Sequence, residues 1–203
     1  MGQRSKRLGR RGFVLVELLV TLAIILILFV LYFSPGSKRY QLGRQELCQR
    51  NLKFIYMALQ TYAADNRDAY PLLKGAQTSE APLSLLVPRC TTSTEIFICP
   101  GSGDKALPAG KPFQDRRISY AYAMGLTKVP GTSPWLLSDA QVDTKPKAPG
   151  QALFSKDGKK PGNNHRQFGG NVLFADGRAE TSPPAATEAV TTTNGVVALN
   201  PRP

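Results

Sequence analysis

The chain has 203 residues, 26 of them Lys or Arg against 14 Asp or Glu, for a formal net charge of +12. A balance that basic raises nucleic acid or anionic lipid as partners, but past residue 12 the basic side chains are scattered and nowhere interleaved with aromatics in a nucleic-acid motif, so no nucleic-acid partner is expected. Three cysteines allow one intrachain bridge at most, and a single histidine leaves little material for a metal motif.

Residues 1–12 hold Arg4, Lys6, Arg7, Arg10 and Arg11 and no acid, and without them the net charge falls to +7. Gly12 and Phe13 follow, and then Val14 to Phe33, 20 residues whose only charge is Glu17. As a helix rising about 1.5 Å per residue, that run spans roughly 30 Å, one bilayer core. A carboxylate within a membrane segment is costly, about 2.5–3.5 kcal/mol on insertion scales, and such residues carry function. A secretory signal peptide has a shorter apolar region ending in a small-residue cleavage site, whereas this run meets Ser34-Pro35-Gly36-Ser37-Lys38-Arg39. A plain uncleaved anchor explains the length and the basic flank but neither Gly12-Phe13 nor Glu17. The pattern resembles the class III signal of type IV pilins and type II secretion pseudopilins. That resemblance implies cleavage by a prepilin peptidase between Gly12 and Phe13, N-methylation of Phe13, and Glu17 as the fifth residue of the processed chain. The Lys/Arg bias of residues 1–12 predicts a cytoplasmic N-terminus and a periplasmic bulk.

Residues 34–65 read as an amphipathic continuation of the helix, loosened at Pro35-Gly36. Cys48, Leu52, Ile55, Leu59 and Tyr62 recur at steps of four and three and draw one apolar stripe. Lys38, Arg39, Arg44, Arg50 and Lys53 form a loose basic stretch suited to a solvated face beside lipid headgroups. Past Asp65 the apolar runs shorten and turn residues rise, which predicts a head over residues 66–182. Its strand candidates are Glu95–Cys99, Arg117–Ala123, Trp135–Ser138, Ala152–Ser155 and Asn171–Ala175. Residues 183–203, rich in Pro, Thr, Ala and Val, read as a low-complexity tail, with an ordered terminal hairpin as the alternative.

Two further stretches carry resemblance. Cys48-x-x-Asn51-Leu52-Lys53, running on through Tyr62-Ala63-x-Asp65-Asn66 to Tyr70-Pro71, is similar to the region after the membrane helix in pilin-like proteins, the major type II pseudopilin among them. Asp65-Asn66 supply helix-ending chemistry, and Pro71 cannot continue a helix. Asn164-His165 through Gly169-Gly170-Asn171-Val172-Leu173-Phe174-Ala175-Asp176-Gly177 resembles the His-x9-Asp-Gly segment of one group of prepilin-like proteins. Here ten residues, not nine, separate His165 from Asp176. Val172-Leu173-Phe174 reads as a buried strand and Asp176-Gly177 as a tight hairpin turn.

His165 and Asp176 invite metal or acid–base chemistry. With no second histidine, no Cys-x-x-Cys and no Gly-x-Ser-x-Gly, a zinc site lacks raw material unless Cys99 or distant carboxylates join, and a hydrolase lacks its nucleophile. The reading is therefore His165 hydrogen-bonded in a loop and Asp176 serving its turn. The pseudopilin resemblance brings calcium into view, with Asp139 and Asp176 as the candidates and Asp143 and Asp157 as further loop acids, although no Asp-x-Asp-x-Asp spacing supports it. Cys90 and Cys99 form a candidate disulfide across a turn, and three free thiols are the alternative.

The expected architecture is α+β, a long N-terminal helix packed on a small, mainly antiparallel sheet. The expected function is that of a structural, non-enzymatic subunit, without a cofactor, of a type II secretion or type IV pilus-like filament. Its partners would be the prepilin peptidase, other pilin or pseudopilin subunits, the inner-membrane assembly platform and membrane lipid. The alternative is an inner-membrane-anchored periplasmic binding module.

Overall fold

The computed structural model describes residues 15–33, 37–127, 133–191 and 195–203. The chain divides into two compact units, Met1–Tyr40 and Gln41–Pro203. The leader 1–12, the cleavage pair Gly12 and Phe13, and the Ser34-Pro35-Gly36 join lie outside the described residues.

In the first unit, helix α1 (Leu15–Phe33) buries none of its residues. Its large apolar side chains stand 49–72% exposed, which in water would be untenable over 19 residues. Among the described residues it is the one helix long and apolar enough to cross a membrane. Past it, the Ser37 hydroxyl accepts from the Tyr40 N–H at 3.3 Å, an N-cap for helix α2 (Lys38–Asp65). Arg39 donates to the Tyr32 hydroxyl at 3.2 Å and lies 5.4 Å from the ring centre.

In the second unit the stripe expected on α2 is found. Cys48, Leu52, Ile55 and Leu59 are fully buried, and Ala58 and Ala63 widen the seam. Tyr62 is only half-buried. Toward the helix start the buried face turns polar, with Gln41 and Gln45 nearly inaccessible. The helix ends where Asp65-Asn66 implied. Asn66 Nδ2 donates to the Tyr62 carbonyl at 2.8 Å, the Asp68 N–H returns to the Ala63 carbonyl at 2.9 Å, and Arg67 and Asp68 take the left-handed conformation (φ 55° and 59°). Tyr70 is then buried, its hydroxyl accepting from Gln60 at 2.8 Å, while the Tyr122 hydroxyl donates to the Pro71 carbonyl at 2.9 Å.

Beyond the short helix α3 (Glu80–Leu83), five strands make one antiparallel sheet: β1 (Tyr120–Met124), β2 (Trp135–Asp139), β3 (Gly170–Phe174), β4 (Ala179–Ser182) and β5 (Val197–Leu199), in the order β4-β3-β2-β1-β5. The architecture is α+β. Tyr120 pairs with Asp139, Tyr122 with Leu137, and Leu137 with Leu173, so these side chains share the sheet face that receives α2. Val172 faces the other way, where it lines a small cleft with Leu153 and Val190. All residues of β1, β2 and β3 are consequently buried.

Two strand expectations and the expected tail change. Glu95–Cys99 contains a 3₁₀ turn, Thr94–Phe97, instead of a strand. Phe97 is held by packing on Phe113, ring centres 4.6 Å apart, and the Ile98 N–H closes locally on Glu95. Ala152–Ser155 makes only the isolated bridge Ala152–Ala185. Its neighbour is Pro184, whose carbonyl accepts from both Leu153 and Phe154 but whose nitrogen has no hydrogen to extend a ladder. The expected tail is the largest correction, because residues 197–199 form β5 against β1. Asn200 exchanges two 3.0 Å hydrogen bonds with the Gln141 backbone, and buried Glu80 accepts from the Arg202 N–H at 2.9 Å. Composition concealed this because the segment borrows its partners from residues far upstream. Leu199, 4% exposed, is part of the core, so Leu199→Ala should lower unfolding stability by about 2–5 kcal/mol in urea titration of the full chain in detergent. A loose tail would register no change.

Candidate functional site

The residues with the most chemistry in the head converge at one end of the sheet, beneath α2. The stripe on α2 that seals the core also brings Cys48 inward, over Tyr120 and Asp139. Its Sγ donates to Asp139 Oδ1 at 3.0 Å and lies 3.2 Å from the Tyr120 hydroxyl. Cys99 follows the 3₁₀ turn, in a loop held when Asn51 on α2 donates to the Ile98 carbonyl at 3.1 Å and the Ser119 N–H bonds Phe97. The Gly101 N–H points back at Cys99 Sγ, 3.3 Å away. His165 sits in a turn closed by Arg166 N–H to Asn163 at 2.9 Å, with Arg166 left-handed (φ 57°). His165 Nε2 is 3.3 Å from Cys99 Sγ and 3.4 Å from Asp139 Oδ2.

Asp139, the last residue of β2, is the hub. Besides Cys48 and His165, its carboxylate accepts from Asn164 Nδ2 at 2.8 Å, the Asn171 N–H at 2.7 Å and Asn171 Nδ2 at 3.2 Å. Cys48, Cys99, Asp139 and His165 are each no more than 1% exposed, and one donor atom from each lies within 4.8 Å of the other three.

Two close approaches shape this pocket. A Cβ on Gly101 would come within 2.3 Å of His165 Nδ1 and 2.6 Å of the Asn164 carbonyl. At the head of β3, a Cβ on Gly170 would meet the Phe154 ring at 2.9 Å and Asp139 Cβ at 3.1 Å.

Protonation follows from these neighbours. Burial opposes charge on Asp139, but His165 and the hydrogen bonds from Cys48 and Asn164 outweigh it and hold the carboxyl below its usual range. Burial likewise opposes charge on His165, and Asp139 and Cys99 overcome it, pushing the imidazolium pKa up to about 10. Burial raises the Cys48 thiol, and Cys99 and Asp139 add to that rise. For Cys99 burial is outweighed by hydrogen bonding from Cys48 and His165, so its thiol is the more acidic of the two.

The sequence-predicted residues are thus regrouped. His165 and Asp176 lie at opposite ends of β3, and the acid beside His165 is Asp139. Asp176 instead serves the β3–β4 turn, as expected, accepting from the Arg178 N–H at 2.9 Å beside left-handed Gly177. The two calcium candidates are separated in the same way, Asp139 buried and Asp176 exposed, since Asp139 abuts Asn171 while Phe174 pairs with Trp135 at the other end of β2. Asp143 is engaged with Lys147, and Asp157 with Ser155 and the Lys159 N–H. All three cysteines are free. The Cys90–Cys99 bridge is not formed, because Cys99 turns inward to the cluster and Cys90 borders a surface cleft with Phe54 and Met57. Glu17 lies in the first turn of α1.

What the sequence reading lacked was the grouping of Cys48 and Cys99 with Asp139, together with the amide shell of Asn164 and Asn171. The signals available were the lone histidine, Cys99 and Asp139 as separate candidates, and a cysteine on the apolar stripe of α2. Comparison with known proteins finds no matching family model, no matching curated protein and no matching solved structure.

Gly101→Ala should destabilise the head by about 1–3 kcal/mol through overpacking against His165. Gly103→Ala, where an added Cβ meets nothing within 4 Å, should be near neutral, and urea titrations of the two variants compare them directly.

Proposed function

We propose that the protein is a membrane-anchored structural subunit of a pilus-like filament, of the type IV pilin or type II pseudopilin kind. The observation that carries the reading is a 19-residue apolar helix, exposed throughout, whose one charged residue is Glu17 in its first turn. Sequence adds the basic residues 1–12 and the Gly12-Phe13 pair immediately upstream. The α+β head, with an amphipathic helix laid on an antiparallel sheet, is compatible with that reading.

On this reading a prepilin peptidase cuts after Gly12, and the new amine on Phe13 lies four residues from Glu17. A carboxylate and an ammonium attract far more strongly in hydrocarbon than in water. The amine of an incoming subunit neutralises the Glu17 of one already assembled, which sets the stagger between neighbouring helices. The apolar remainder, Leu18 to Phe33, exchanges lipid for other α1 helices. Leu47, Phe54 and Met57, exposed on α2 at 43%, 44% and 54%, offer neighbours a second apolar contact. The N-terminus is cytoplasmic, and the head is periplasmic until assembly at the inner-membrane platform.

Glu17→Ala should leave insertion and processing intact while reducing assembled fibres by at least about tenfold, the effect of losing a charge pair of roughly 1.4 kcal/mol or more. Sheared or membrane-extracted fibres, quantified by immunoblot beside the mass of the processed N-terminus, give both readouts. Normal fibres from Glu17→Ala, or a native chain still beginning at Met1, would overturn the proposal.

A further inference from the structure

We infer that Cys48, Cys99, Asp139 and His165 form a closed structural zinc site that ties helix α2 to the end of the sheet. This assignment is independent of the filament reading, since it rests wholly on the head.

The donor set is the first argument. Two sulfurs, one imidazole nitrogen and one carboxylate oxygen suit zinc, whereas calcium and magnesium take oxygen ligands almost exclusively. Spacing is the second. Zinc bonds of about 2.0–2.3 Å to N, O and S imply donor atoms roughly 3.3–3.8 Å apart around a tetrahedron. Cys99 Sγ and His165 Nε2 are 3.3 Å apart and His165 Nε2 and Asp139 Oδ2 3.4 Å, and one donor atom from each of the four residues lies within 4.8 Å of the other three. A modest side-chain adjustment therefore brings the four donors onto one tetrahedron.

Charge is the third. Zinc displaces the thiol protons of Cys48 and Cys99 and takes His165 as neutral imidazole through Nε2. Two thiolates, one carboxylate and Zn²⁺ leave a net charge of −1, and the surroundings are donors. Asn164 Nδ2, the Asn171 N–H and Asn171 Nδ2 reach Asp139, the Gly101 N–H reaches Cys99, and the Tyr120 hydroxyl lies at Cys48. Such outer contacts orient ligands and disperse thiolate charge. Without a cation, the same burial would leave two thiols in weak hydrogen bonds and a carboxylate balanced by a single imidazolium.

Four protein ligands with no access to solvent describe a structural centre, with no position kept open for substrate. The ligands come from α2, the loop after the 3₁₀ turn, the end of β2 and the turn before β3, so the ion would cross-link segments 117 residues apart in sequence. Closing loops that long is where a cross-link most restricts the unfolded chain.

The test begins with metal analysis of the full chain, purified in detergent without chelator and without added metal. About one zinc per chain is expected, falling to under about a tenth in Cys99→Ser and His165→Ala, while Cys90→Ser stays at one. Cobalt(II) substitution of the wild type supplies a readout that needs no variant to fold: thiolate-to-cobalt charge-transfer bands with intense tetrahedral ligand-field bands are expected. Wild-type protein that neither retains zinc nor takes up cobalt stoichiometrically would overturn the inference. So would zinc content indifferent to the Cys99 and His165 changes, or a Cys48–Cys99 disulfide in the intact mass.

Discussion

A carboxylate removed from water is stable only where other groups replace its hydration, and Asp139 draws those groups from every part of the head. Cys48 comes from α2, Asn164 and His165 from the turn before β3, and Asn171 from β3 itself. Because the hydrogen bonds from Cys48, Asn164 and Asn171 are short and directional, they fix the positions of the segments that supply them. Leaving such a carboxylate half-satisfied is among the most destabilising things a core can do, so the segments around Asp139 are held jointly. The aliphatic contacts of Leu52, Ile55 and Leu59 with the sheet supply the larger share of the burial but tolerate sliding. Asp139 removes that freedom and sets the register of α2 on the sheet.

The same constraint explains the order of polarity along α2. From Leu52 onward its buried face is apolar and needs only shape. From Cys48 back to Gln41 the buried face is polar, because it covers the end of the sheet where strands give way to loops and backbone groups need partners. Gln45 answers this directly, donating to the Phe168 carbonyl at 3.0 Å while its own carbonyl accepts from Asn171. Apolar periodicity alone therefore places the start of the packing at Cys48, although the buried face of the helix starts two turns earlier.

The two units handle their apolar side chains differently. In Gln41–Pro203 most large apolar residues gather around one core, and the Asp139 carboxylate buried within it is met by named partners. In α1 every side chain is exposed and nearly every one is apolar, an arrangement stable only where hydrocarbon replaces water. Against that background Glu17 is conspicuous for its setting, whereas Asp139 is conspicuous for its partners. One belongs to the apolar helix and the other to the architecture of the head.

Local pattern alone determined the apolar span with its single acid, the stripe Cys48-Leu52-Ile55-Leu59, the end of α2 at Asp65-Asn66, the β3 strand and the Asp176-Gly177 turn. Each of these depends on interactions between residues a few positions apart, so period and turn chemistry are sufficient to write them. Only the tertiary structure decided that residues 197–199 are a strand, that Glu95–Cys99 is not, and that His165 belongs with Asp139 instead of Asp176. It also decided that Cys99 lies with Cys48, away from Cys90. Those outcomes turn on partners 16 to 91 residues away: Phe113 for Phe97, Asp139 for His165, Tyr122 for Leu199 and Asp139 for Cys48. A strand without its neighbour, or a ligand set dispersed over four segments, has no local signature, because the energy that defines it exists only after the chain has closed on itself.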